Sequence, residues 1–140
     1  RMAAVYTRLK PYHRRLVTEY REQGLPAIRH PFIHYRGDRR AHVMKYQFLY
    51  GRDLMVAPVR RPFRRAISVY LPEDTWIHIW SGKTYGGGWH RIAAPVGRPA
   101  VFYRADSEFA DLFASIPQQI QHDVEARSQA AARPVEEDAT

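Results

Sequence analysis

Short apolar segments alternate with turn residues between Tyr46 and Tyr103, at intervals of about ten residues, as strands do in a small β-sandwich. In the segment WIHIW, strict alternation places Trp76, His78 and Trp80 on one face and Ile77 and Ile79 on the other. The pattern predicts an antiparallel β-sandwich over residues 52–104, with Gly86–Gly88 as the tip of a long hairpin. The predicted strands are LMVAPV, AISVYL, WIHIW, WHRIAA and AVFYR.

The chain before this region has a different periodicity. Apolar residues at steps of three and four predict a helix over Met2–Glu22, although Pro11 interrupts it. A strand is expected over Ala27–His34 and a short helix over His42–Tyr50, with Gly51 following its last turn. Helix, strand and helix in this order form part of a β/α repeat, which occurs in barrels and in doubly wound sheets.

The segment after the predicted sandwich favours a single helix. Asp106 or Ser107 can cap a helix that begins at Glu108, and Pro117 is expected to end it, so we assign this helix to residues 105–117. Residues 118–140 are polar, rich in alanine and weakly patterned, which predicts a flexible tail.

Composition narrows the class of protein. The 140 residues include no cysteine, so disulfides and thiolate metal sites are excluded, and a cytoplasmic location is expected. No apolar run approaches the roughly 20 residues of a membrane span. The net charge of +8 is uneven, because residues 1–65 carry 16 Lys/Arg and 4 Asp/Glu. This charge is compatible with nucleic acid or an anionic ligand, but the scattered arginines favour solvated side chains, so we expect neither nucleic acid nor a membrane as partner.

No constellation of residues predicts an active site. Asp53 is a candidate carboxylate, although an Asp between the end of a helix and an apolar strand more often bonds backbone N–H groups or pairs with an Arg. His30 and His34 lack a third ligand at metal-site spacing, and the three glycines lack the helix of a phosphate loop. We therefore predict no catalytic, substrate-binding or metal-ligating residue in this chain, and no cofactor.

Four motifs stand out in the chain: GRDLMVAP from Gly51 to Pro58, YLPEDTW from Tyr70 to Trp76, the Trp80–Gly82 step, and the ending APVGRPAVFYRADSEF. Together they resemble the C-terminal part of glycoside hydrolase family 31, in particular its sulfoquinovosidase branch. The resemblance implies a retaining α-glycosidase with a TIM-type barrel followed by β-sandwich domains. Residues 1–51 would then be the C-terminal end of a (β/α)8 barrel, giving an α+β fragment, and Ala27–His34 would be the eighth barrel strand.

The same resemblance implies that the chemistry lies elsewhere. The family supplies its nucleophile and its acid/base as Asp residues from earlier barrel strands, and no matching motif occurs in these 140 residues. We therefore expect a scaffold that is inactive alone, whose partner is the N-terminal barrel portion of the parent hydrolase or another copy bound through an exposed apolar face. Carbohydrate would be bound by the parent enzyme. The alternative is a non-catalytic carbohydrate-binding or assembly module that uses exposed aromatic residues, with these candidates: Trp76, Trp80, Tyr85 and Trp89.

Overall fold

Two antiparallel sheets and three α-helices make up the computed structural model, which describes residues 5, 7–95 and 98–132. The larger sheet has six strands in the order β1-β2-β3-β8-β5-β6, and the smaller sheet pairs β4 with β7. The elements are α1 Lys10–Gln23, β1 Ile28–Arg29, a 3-10 turn Pro31–Ile33, α2 Arg39–His42, β2 Phe48–Tyr50, β3 Leu54–Ala57, β4 Ala66–Leu71, β5 Trp76–His78, β6 Thr84–Tyr85, β7 Gly88–Ala93, β8 Ala100–Arg104 and α3 Ala110–Ala131.

The predicted antiparallel sheets and C-terminal helix are confirmed. Strand β4 coincides with the segment AISVYL, and it pairs with β7 over six residues, from Ala66 opposite Ala93 to Leu71 opposite Gly88. Alternate side chains of the strands meet in a first apolar core, since every second residue of a strand points to the same face. Its members include Met55, Val69, Leu71, Trp76 and Phe102.

A second apolar core joins helices α1 and α3 to the larger sheet. Tyr12 and Leu16 of α1 pack there with Phe113 and Ile116 of α3, and all four are at most 1% exposed. The Tyr12 ring meets the Phe113 ring edge-on, with ring centroids 5.1 Å apart. These contacts fix the helical ends of the sequence on one face of the sheet.

Helix α1 follows the predicted periodicity and ends where expected. Gly24 adopts a left-handed conformation with φ +70°, and its N–H donates to the carbonyl of Tyr20. Pro11 lies in the first turn, where its missing N–H would have no helical partner in any case. Of the predicted helix, residues 1–4 and 6 lie outside the described residues.

The predicted helix over His42–Tyr50 is wrong. Helix α2 ends at His42, and Phe48–Tyr50 form strand β2, which pairs with β3. Leu49 of β2 is fully buried in the first core, so burial and strand pairing outweigh the weak helical pattern. The side chain of Asp38 caps α2 by accepting from the N–H groups of Arg40 and Ala41.

The strand predicted over Ala27–His34 is shorter than expected. Only Ile28 and Arg29 pair with β2, because Pro31 has no N–H to donate to a ladder. Pro31 instead begins the 3-10 turn, which His30 caps by accepting from the N–H of Phe32.

The C-terminal helix does not end at Pro117. Helix α3 runs through this proline to Ala131, so residues 118–131 of the predicted tail are helical. Ile116 and Ile120 lie on both sides of Pro117 and are buried in the second core, which compensates for the backbone hydrogen bond that proline cannot make. Residues 133–140 of the predicted tail lie outside the described residues.

The sequence predicts the three glycines as a hairpin tip, and this prediction is wrong. Strand β6 pairs with β5 and strand β7 pairs with β4, so the glycines carry the chain from one sheet to the other. A Cβ at Gly87 would lie 2.9 Å from the Cα of Glu73, and Gly88 has φ +115°. Glycine is therefore required here by close approach and by backbone conformation.

The larger sheet also runs across the boundary proposed between residues 51 and 52, because β1 and β2 are continuous with β3. The division of the chain into domains stays a prediction. Among the residues that the structure describes, no helix has the length and apolarity needed to cross a membrane.

Candidate functional site

The strongest polar cluster lies where the two sheets and the β2–β3 turn meet. The guanidinium of Arg104 donates from Nη1 to Asp53 over 2.9 Å and from Nε to Asp74 over 3.0 Å. Tyr35 donates its hydroxyl to Asp74, and Arg52 donates to that same hydroxyl over 2.9 Å. The cluster therefore links residues from four separate segments through one bridging arginine.

The electrostatics of the cluster keep its charges in place. Burial alone would raise the pKa of Asp74, but the N–H of Thr75, the guanidinium of Arg104 and the Tyr35 hydroxyl outweigh burial and lower it. Burial would lower the pKa of Arg104, whereas Asp74 and Asp53 raise it by a larger amount. Asp74 is thus held as a carboxylate, which is the wrong protonation state for a general acid at neutral pH.

Asp53, the candidate carboxylate, has a structural environment. Its side chain pairs with Arg104, its N–H donates to the Tyr12 hydroxyl, and its carbonyl accepts from the N–H of Arg104. The sequence allowed for an arginine partner but did not indicate which one, because Arg104 is 51 residues away.

The two candidate histidines bind neighbouring protein groups. Nδ1 of His30 accepts from the N–H of Phe32, so Nε2 carries the proton and donates to the Met44 carbonyl over 2.7 Å. Nε2 of His34 accepts from Arg29, and burial together with Arg52 and Arg29 lowers the pKa of His34 to about 4. In the described part of the chain, no group of three or more His, Cys, Asp or Glu side chains is placed to hold a metal ion.

The four candidate aromatic residues have different environments. Trp76 is fully buried, and its indole N–H donates to the carbonyl of Pro72. Trp80 donates to the carbonyl of Pro99, and Tyr85 packs edge-on against Phe102. Trp89 is 61% exposed, so it presents a ring face to solvent while the other three support the fold.

Trp89 borders a cavity that sequence reasoning missed. The cavity holds about 750 Å³ and lies between residues 43–47, residues 57–61 and the β4–β7 sheet. Its walls come from segments separated by up to about fifty residues, so spacing along the chain gives no signal for it. The only hints in the sequence are the basic RRPFRR stretch and the exposed aromatic candidates.

Comparison with known proteins agrees with the resemblance read from the motifs. Residues 24–107 match the family model described as the glycosyl hydrolase family 31 C-terminal domain. The chain is 49% identical over 116 residues to the sulfoquinovosidase of Escherichia coli (strain K12), covering 83% of this chain and 17% of that protein. It is 43% identical over 115 residues to the sulfoquinovosidase of Agrobacterium fabrum, with 81% and 17% covered.

Solved structures show the same relationship. A GH31 family sulfoquinovosidase from E. rectale superposes with a TM-score of 0.80 at 43% identity, over 82% of this chain and 17% of that one. A GH31 α-xylosidase from a soil metagenome superposes with a TM-score of 0.74 at 30% identity, over 76% and 16%. The chain thus spans about one sixth of the length of these relatives. The family match, the sequence identity and the shared fold together place this chain in glycosyl hydrolase family 31, as a sulfoquinovosidase-like C-terminal domain.

Proposed function

We propose that this chain is the C-terminal portion of a retaining α-glycoside hydrolase that acts in carbohydrate metabolism, and that it serves there as scaffold. The parent activity would be that of a sulfoquinovosidase or a related α-glucosidase, since proteins with these names are similar to the chain. In this proposal both catalytic carboxylates come from the barrel portion, and the present chain supports that barrel.

The bridged pair of Asp53 and Asp74 is the observation that carries the scaffold role. Retaining hydrolysis requires a nucleophilic carboxylate and a protonated acid about 5 Å apart across the glycosidic bond. Here both carboxylates contact one guanidinium, that of Arg104, and the pKa of Asp74 is lowered. Because both carboxylates bind the same guanidinium, they cannot lie on opposite sides of a glycosidic bond. The pair instead stabilises the contact between the sheet and its turns.

Helix α1 and strand β1 offer a surface for the proposed barrel partner. Strand β1 is the edge of the larger sheet, and among the described strands it pairs with β2 alone. Arg29 of β1 is 2% exposed and pairs with Glu19 of α1, which holds the two elements together. Large apolar side chains on these elements and the following turn remain exposed: Val17, Tyr20, Ile28 and Phe32. An exposed edge with apolar residues is a surface that normally requires a cover, and further barrel strands would provide it.

Hydrolysis by the isolated chain tests the scaffold role. We expect no turnover of an aryl α-glycoside above the uncatalysed rate, with the E. coli sulfoquinovosidase assayed in parallel as the active reference. Turnover by the wild-type chain that disappears in Asp53→Asn or Asp74→Asn would contradict the proposal, because it would assign chemistry to the bridged pair.

A further inference from the structure

The cavity beside Trp89 concentrates positive charge. In the part of the chain that the structure describes, six cationic side chains line it, and no carboxylate is among its lining residues. Within residues 5, 7–95 and 98–132, none of the six forms an ion pair with an acidic side chain. The nearby acid Asp38 is engaged by the Tyr70 hydroxyl and by the N–H groups that it caps. The six cations are Arg40, Lys45, Arg60, Arg61, Arg64 and Arg91.

Aromatic rings form part of the same walls. The Arg60 guanidinium lies over the Tyr46 ring, 3.1 Å from its centroid, and the Arg40 guanidinium lies 5.7 Å from the centroid of Tyr70. The ring of Trp89 packs against Tyr70 with centroids 5.4 Å apart, yet 61% of Trp89 remains exposed. Trp89 is therefore a supported aromatic platform next to cations that are held in place partly by cation–π contacts.

The geometry points to a binding site for a short anionic glycan, such as a sulfated or carboxylated oligosaccharide. A sugar ring would stack on Trp89, and its anionic substituents would accept hydrogen bonds from Arg60, Arg64 and Arg91. The cavity volume of about 750 Å³ is within the range of small-ligand sites, which is roughly 300–1,000 Å³. The proposal of this binding site does not depend on the proposed scaffold role, and the two are tested separately.

The shape of the cavity favours a glycan over single-stranded nucleic acid. Nucleic-acid sites combine an extended basic groove with several aromatic platforms for successive bases. Here the face of Tyr46 is covered by Arg60 and Tyr70 is only 8% exposed, which leaves Trp89 as the platform on the described walls of the cavity. A neutral glycan would leave the cationic side chains without an anionic partner, so the charge of the ligand is part of the proposal.

Binding of a heparin-derived tetrasaccharide to the 140-residue chain tests this inference, measured by calorimetry and by tryptophan fluorescence. Maltotetraose serves as the neutral probe of equal length and an oligothymidylate of eight nucleotides as the nucleic-acid probe. We expect the sulfated tetrasaccharide to bind more tightly than either. Tighter binding of the oligothymidylate, equal binding of maltotetraose, or no binding of the tetrasaccharide would each overturn the proposal.

Two charge-matched variants separate the cavity from the overall charge of the protein. Arg60→Gln/Arg64→Gln removes two cavity cations, whereas Arg14→Gln/Arg127→Gln removes two exposed cations elsewhere. The first should weaken tetrasaccharide binding by about tenfold or more, because hydrogen bonds to charged groups are among the stronger ones, and the second by about twofold or less. Trp89→Ala should also weaken binding. Equal losses of tetrasaccharide affinity in the two charge variants would show that binding depends on non-specific electrostatic attraction, and they would refute the proposed site. Unchanged circular dichroism of each variant would show that its fold is retained.

Discussion

At the scale of single residues, Tyr12 joins helix α1 to the turn between β2 and β3. Its hydroxyl donates to the Tyr50 carbonyl over 2.5 Å and accepts from the N–H of Asp53 over 3.1 Å. Burial raises the pKa of this phenol, so the hydroxyl keeps its proton and remains a donor. Gly51 lies directly against the ring, with φ +67°. The apolar stripe of α1 predicted that Tyr12 is buried, but not its polar partners, because these belong to a turn 38 residues away.

We predict that Tyr12→Phe lowers the free energy of unfolding by about 1–3 kcal/mol, because two partly buried backbone groups lose the Tyr12 hydroxyl as partner. Tyr20→Phe on the same helix is the control, since Tyr20 is 63% exposed and should change stability by about 0.5 kcal/mol or less. Urea unfolding of the three proteins measures both effects. Equal midpoints for Tyr12→Phe and wild type would show that these hydrogen bonds do not stabilise the turn.

A pair of glycines separates backbone strain from steric overlap. Both Gly24 and Gly51 have positive φ, but a Cβ at Gly24 meets nothing within 4 Å. A Cβ at Gly51 would instead overlap the Tyr12 hydroxyl and lie 2.5 Å from Leu16. Gly24→Ala should therefore cost about 1–2 kcal/mol from strain alone, and Gly51→Ala a further 1–3 kcal/mol or so from overpacking. Thermal unfolding compares them, and a smaller loss at Gly51 than at Gly24 would argue against the tight contact with Tyr12.

At the scale of elements, the sequence predicted strands well where apolar alternation coincides with turn residues, as in β4 and β8. It failed where tertiary contacts decide the outcome. The sequence pattern predicted Phe48–Tyr50 as the end of a helix, yet pairing with β3 makes these residues a strand. Pro117 read as a helix terminus, yet burial of Ile116 and Ile120 carries α3 past it. These contacts depend on residues distant in sequence, which local periodicity does not contain.

Ile120 tests whether α3 packs on the sheet beyond Pro117. Ile120 is 5% exposed, and Ile120→Ala should lower the free energy of unfolding by about 2–5 kcal/mol, because it leaves a cavity in the second core. Val124→Ala, one turn further on, removes a side chain that is 45% exposed and should cost about 1 kcal/mol or less. Chemical unfolding of both variants is the measurement. If the two lost the same small amount, the helix beyond Pro117 would not be part of the core.

At the scale of the whole molecule, the stability should fall in mild acid. The pKa of His34 is lowered to about 4 by burial and by the charges of Arg52 and Arg29, against 6.5 in an unfolded chain. Between these values the unfolded state binds more protons, so stability is present above pH 6.5 and declines as the pH falls towards 4. After allowance for the partial exposure of His34, we expect a loss of about 1–2 kcal/mol.

Glutamine at position 34 tests this dependence, since it keeps an acceptor for Arg29 but does not titrate in this range. Unfolding free energies measured between pH 7 and pH 4.5 should fall less steeply in His34→Gln than in the wild type. His122→Gln serves as the control for the loss of a histidine, because His122 is exposed on α3. Parallel slopes for wild type and His34→Gln would place the acid sensitivity elsewhere.

The sequence motifs identified the family, although they contain no residue that was predicted to be catalytic or to bind a ligand. The motifs Gly51–Pro58 and Tyr70–Trp76 contain turns and buried strand residues that this fold requires. They therefore indicate the fold and not an active site. The Arg104 cluster and the basic cavity were not foreseeable, because each unites residues from several segments that come together only when the sheets form. The sequence thus predicted the domain family more fully than the polar contacts within it.

The proposal that this chain is the scaffold portion of a sulfoquinovosidase-like hydrolase is tested most directly by a domain exchange. The segment of the E. coli sulfoquinovosidase that matches this chain over 116 residues would be replaced by the corresponding residues of this chain. The same enzyme truncated before that segment is the control, and it should be inactive. We predict that the exchanged enzyme hydrolyses an aryl sulfoquinovoside with kcat/KM within about tenfold of the parent, a difference of about 1.4 kcal/mol in the barrier. An exchanged enzyme that is folded and soluble but has no activity would contradict the proposal.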